Sequence, residues 1–105
     1  MTTDDMIPRP LTDAMASARR QALIDLARSL KDHPPADRER FGDMVQAAFR
    51  EGGLDPRDLS GDMGYSFSSV HRWIALQSAP HSSQWPTVTT WIVNRIEAMT
   101  GVATT

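Results

Sequence analysis

With 105 residues, 11 Lys and Arg against 13 Asp and Glu and a formal charge of -2, the chain is the size of one domain and lacks the cationic excess that coats nucleic acid non-specifically. Its 40% hydrophobic content supports a single core, and the absence of cysteine excludes a disulfide framework or a zinc-thiolate site, as suits a reducing cytosol. No apolar run approaches the roughly 20 residues that span a bilayer, and the acidic, proline-bearing start MTTDDMIPRP fits neither a signal nor a transit peptide, so a cytoplasmic location without a membrane partner is expected.

Residues 1–11 carry Pro8 and Pro10 and no period, and are expected to form a flexible arm. From Thr12, a candidate N-cap, Met15, Ala18, Ala22, Leu23, Leu26, Ala27 and Leu30 recur at three- and four-residue steps, which predicts an amphipathic helix over residues 12–32. Pro34 and Pro35 stop it, and Asp37 is placed to open a second helix whose stripe is Phe41, Met44, Val45, Ala48 and Phe49 and whose end is Gly52-Gly53. Asp55 before Pro56 is a further start signal, an N-cap acceptor followed by proline where a missing N–H is harmless. Leu59 and Met63 face inward on this short helix, and Gly64 ends it. Ser66 caps the next helix, with Val70, Trp73 and Ile74 inward and an end near Leu76. Two short helices joined by a tight glycine turn cross steeply, which is helix-turn-helix geometry. A last helix, WPTVTTWIVNRIEAM, turns Val88, Trp91, Ile92, Ile96 and Met99 to one face, with Pro86 in its first turn and Gly101 after its end. The expected fold is therefore all-α, about five helices in one compact domain, with a core over residues 37–101 and an added N-terminal helix.

Leu59, Gly64, Ser66, Val70 and Trp73, preceded by GLDPRDL and followed by Pro80, resemble the DNA-binding core of the Cro and lambda-repressor (XRE-like) type of helix-turn-helix regulator, over roughly Phe41 to Met99. The resemblance implies that the helix opened by Ser66 lies in the major groove of double-stranded DNA while the helix from Pro56 braces on the backbone. Carried over by position, Phe67, Ser68 and Ser69 would be the first groove-facing residues, His71 and Arg72 would follow one turn on, and Arg57 would lie on the bracing helix. Ser60 stands where the family usually has alanine, and Leu76 and Gln77 stand where a glycine commonly ends the recognition helix. One such motif reads few base pairs, so a homodimer on half-sites about 34 Å apart is expected. The helix over residues 12–32, with Leu23, Leu26 and Leu30, is the candidate dimer element or core supplement. Other transcription proteins are further candidate partners. A bacterial or phage regulator associated with the nucleoid is the implied setting.

Each candidate residue has a rival role. Phe67 is an apolar contact for a thymine methyl or a staple folded onto the turn. Arg72 presents a fork that matches guanine or phosphate, against an ion pair with Asp62 or a solvated side chain. From Asp55 onward three arginines face four carboxylates, so hydroxyls and backbone N–H groups must supply phosphate contacts, helped from the flanks by the cations of ARR at Ala18–Arg20 and DRER at Asp37–Arg40. No HExxH, glycine-rich phosphate loop or GxSxG occurs, and His33, His71 and His81 share no metal-ligand spacing, so neither catalysis nor a metal or other cofactor is expected. The alternative class is a non-enzymatic interaction module that binds a polymerase subunit, a toxin or a regulator through the apolar stripe of the first helix.

Overall fold

The computed structural model describes residues 8–103, with side chains from Asp13 onward. These residues form α1 (Pro8–Asp32), α2 (Arg38–Val45) continuing into a π-helical segment (Gln46–Glu51), α3 (Pro56–Met63), α4 (Phe67–Ile74), a 3₁₀ turn (Ser82–Gln84) and α5 (Trp85–Thr100). The fold is all-α, as the patterning predicts.

The first helix departs from expectation at its start. It begins at Pro8, so the last part of the expected arm is helical and Thr12 is not its cap, while residues 1–7 lie outside the described residues. Prolines are tolerated there because the first N–H groups of a helix have no intrahelical acceptor. Only the C-terminal half of the stripe is covered: Leu23, Ala27 and Leu30 are buried and Leu26 is half-buried, joined by Ile24, which lies outside the expected stripe, whereas Met15 is 61% exposed and Ala18 and Ala22 lie in solvent. Length explains this, since at 1.5 Å per residue α1 spans about 37 Å and its neighbour α5 about 24 Å. Arg20 reaches the Thr100 carbonyl at the end of α5 (2.8 Å), and Leu30 and Pro34 share a groove with Pro86 and Thr89 at its start, so the two helices run antiparallel. Leu23 and Leu30 therefore supplement the chain's own core and are not a free dimer face.

Asp37 caps α2 by accepting the N–H of Arg40 (2.8 Å), and all five expected stripe residues behind it are buried. The expected single helix then widens into the π-helical turn, where Gly52 N–H donates to Ala47 O at 2.8 Å. Phe41 sits at the centre of the core, edge-on to Trp73 (centroids 6.2 Å) and stacked on Trp85 (5.7 Å). Phe49 stacks on Trp91 at 6.1 Å. Trp91 is half-buried rather than interior, because its indole N–H leaves the core to donate to Asp62. Met99, expected to face inward, is 55% exposed, since α5 buries its last residue at Ile96 and runs on past the core.

The paired helices form on their local signals. Asp55 accepts the N–H of Arg57 (2.9 Å), with Pro56 in the first position of α3. Gly64 closes α3 at φ 77°, in the left-handed region. Ser66 opens α4 by accepting the N–H of Ser69 (3.1 Å). The Ser60 hydroxyl donates to the Tyr65 carbonyl in the turn, tying α3 to the start of α4. The end of α4 comes at Ile74, two residues before the expected one. Leu76 N–H donates to Trp73 O and Gln77 N–H to Arg72 O, a Schellman closure in which Leu76, at φ 62°, fills the position that favours glycine. Gly42 of α2 leaves room for it: a Cβ there would stand 2.7 Å from the Leu76 Cδ2.

Candidate nucleic-acid interface

The eight residues of α4, FSSVHRWI, divide cleanly by angle. At about 100° per residue, Val70 and Trp73 fall on one side and Ser68, His71 and Arg72 on the other, with Phe67 at the margin. Burial follows the same division: Val70 and Trp73 are in the core, and Phe67, Ser68, His71 and Arg72 are exposed. Trp73 anchors the helix through Phe41 on one side and Tyr65, edge-on at 5.0 Å, on the other. The Gln46 amide donates to the Ile74 carbonyl (3.0 Å) and ties the far end of α4 to the π-helical segment. Both ends of α4 are thus fixed by packing and hydrogen bonds, and its outer side chains project from a rigid support.

Five of the six expected site residues lie on this helix, and they are not equivalent. Ser69 is half-buried and belongs to the cap: its hydroxyl accepts from Ser66 Oγ at 2.7 Å and lies 3.4 Å from Arg72 Nη2. Ser68 is exposed, with its hydroxyl 3.4 Å from that of Ser66. Phe67 and His71, four residues apart, meet edge to face with centroids 4.3 Å apart. Arg72 has its long contact to Ser69 and no carboxylate partner among the described residues; Asp62, the rival partner, is occupied by the Trp91 indole at 2.9 Å. Arg57 is the outlier, on α3, where its guanidinium turns back to Asp55 (3.4 Å).

Electrostatics favours this face more than the total charge does. No acidic residue occurs in α4. Of the carboxylates of α3, Asp58 pairs with Arg95 at 2.6 Å and Asp62 accepts from the Trp91 indole, and the N-cap Asp55 is held below the ordinary carboxylate range by the backbone N–H of Arg57, assisted by the charges of Arg57 and Arg95. One cation was not anticipated from the sequence. Arg50, exposed at the end of the π-helical segment, shares a groove of about 370 Å³ with Pro56, His71 and Ile74. Its only sequence signal is its place one residue after the buried Phe49, which by itself does not distinguish a site from a solvated face. Of the expected flanking cations, Arg20 is engaged at Thr100 and Arg19 lies against Gly53.

Among the described residues, no group of three or more His, Asp or Glu side chains is placed to hold a metal ion, and no helix is long and apolar enough to cross a membrane. No protein-family model matches the chain, and neither a curated protein nor a solved structure was found to match it. The functional reading rests on the geometry of α3 and α4.

Proposed function

We propose that the protein is a non-enzymatic, sequence-specific regulator of transcription that binds double-stranded DNA as a homodimer in the cytoplasm, with α4 in the major groove and α3 braced on the phosphates. The observation that carries this reading is the outer face of α4. It offers Ser68, His71 and Arg72 together, exposed, without an acidic residue, on a helix whose opposite face is locked into the core by Val70 and Trp73. A side chain can discriminate base edges only if its helix holds a fixed pose in the groove, and a guanidinium without a protein carboxylate partner keeps its fork of donors for guanine O6 and N7 or for phosphate. Arg50, exposed beside the start of α3, adds a cation for a flanking phosphate.

The interaction-module reading draws no comparable support, because two of the three leucines it needs on α1, Leu23 and Leu30, are inside the core. Selection of bound fragments from random double-stranded DNA tests the proposal. The expected result is an enriched motif of a few base pairs, repeated at about one helical turn. Failure to enrich any sequence, with equal affinity for all fragments, overturns it.

A further inference from the structure

The role of Phe67 is open in the sequence, and three observations settle what it does not do. The place of a hydrophobic staple, the residue before the N-cap, is taken by Tyr65, whose ring lies against Trp73. Phe67 is the first residue of α4, with no ring contact to the core, and is 43% exposed. Its one ring partner among the described residues is His71, edge to face at 4.3 Å, and His71 is itself exposed. The imidazole therefore lies against the phenyl ring at the edge of the outer face, next to Ser68. An exposed apolar surface at the leading end of a groove-reading helix complements one feature of the major groove above others, the methyl group on C5 of a pyrimidine.

We propose that Phe67, positioned by His71, is a reader of pyrimidine C5-methyl groups, so that the protein distinguishes thymine from uracil, and 5-methylcytosine from cytosine, at one position of its site. This rests on the DNA reading above. Thymine and 5-methylcytosine share the recognised chemistry, and the platform uses no hydrogen bond that separates them.

The experiment takes the fragment selected from random DNA and replaces each thymine in turn by uracil, which removes the methyl and nothing else. For the wild-type protein one position per half-site should lose about fourfold in affinity, the value of one buried methyl at about 0.8 kcal/mol. Phe67→Ala, folded as judged by an unchanged melting temperature, should bind the thymine and uracil fragments alike. His71→Ala should reduce the thymine-to-uracil ratio through the loss of positioning. At the same position a cytosine fragment should gain the same factor on 5-methylation; a ratio for thymine with none for cytosine overturns the claim that the methyl group alone is read. Equal binding of thymine and uracil at every position, or a ratio that survives Phe67→Ala, overturns the inference while the DNA complex still forms. Absence of any specific complex overturns the DNA reading itself, and is seen at the selection step.

Discussion

Arg72 leaves α4 on the side away from Val70 and Trp73, with a single long contact, to Ser69, among the described residues. Its removal should therefore act on binding and hardly on the fold. For Arg72→Ala, binding to the selected site should weaken by about 1–3 kcal/mol with relaxed preference at one base position, and thermal stability should stay within about 0.5 kcal/mol. Uniform weakening of all sequences, with a salt slope reduced by about one, assigns the side chain to phosphate instead. Asp55 supports the neighbouring helix, and its chemistry gives a pH dependence. Because the N–H of Arg57 favours the ionised form, its folded-state pKa lies below the ordinary value of 3.8, so its contribution to stability is present above that value and is lost as pH falls through the lowered one. Asn retains the cap acceptor without titrating. Melting temperatures measured between neutral pH and about pH 3 should fall less steeply for Asp55→Asn than for the wild type; parallel curves would remove Asp55 from the acid response.

Two glycines in similar helical settings should respond oppositely, which separates tertiary packing from propensity as the support of these elements. At Gly52, the end of the π-helical segment, an added Cβ would collide with the Leu23 side chain of α1 and stand 2.8 Å from the Ala48 carbonyl. Gly52→Ala should cost about 1–3 kcal/mol by overpacking. At Gly61, inside α3, an added Cβ meets nothing within 4 Å, so Gly61→Ala should stabilise by up to about 1 kcal/mol through helix propensity. Calorimetry of both variants decides the matter; a tolerated Gly52→Ala would mean that α1 yields at the contact. The contrast also explains what was legible in the chain. Asp37, Asp55-Pro56, Gly64, Ser66 and Gly101 act on backbone groups within a few residues of themselves, and each cap or stop stands where its signal places it. The exposure of Met15 and Met99, the widened turn at Gln46–Glu51 and the left-handed Leu76 depend on what lies across the core, on the length of α5, the Gln46 amide at Ile74 and the space above Gly42. The same division holds in the site: Ser68, His71 and Arg72 follow from the period of α4 and Ser69 from the cap three residues before it, whereas Arg50 arrives from another element.

At the scale of the molecule, α1 joins the two halves of the chain, packing chiefly on α5 and on the π-helical segment. Deletion of residues 1–32 would strip Leu23, Ile24, Ala27 and Leu30 from the core, and at about 2–5 kcal/mol for each large aliphatic side chain removed the remainder should lose cooperative unfolding. Deletion of residues 1–12 touches none of these and should leave a cooperative transition; a folded 33–105 fragment, seen by circular dichroism, would show α1 to be dispensable. Charge is the other global property, and the formal -2 is the strongest argument against a DNA-binding protein of this size. What reconciles the two is segregation. Arg50 and His71 share one groove and Arg72 is exposed on α4 without a carboxylate partner among the described residues, while Asp55 is paired with Arg57, Asp58 with Arg95, and Asp62 accepts from the Trp91 indole. A face with so few cations can neutralise only about four phosphates per monomer, each contributing about -0.9 to the slope of log K against log salt. Titration of the selected fragment from low to physiological salt should then give a slope of about -4 per monomer and about twice that for a dimer. A slope steeper than about -10 would require a basic surface that this chain does not present. A slope near zero would mean that phosphates are not neutralised at all, and would leave α3 and α4 a scaffold for some other partner.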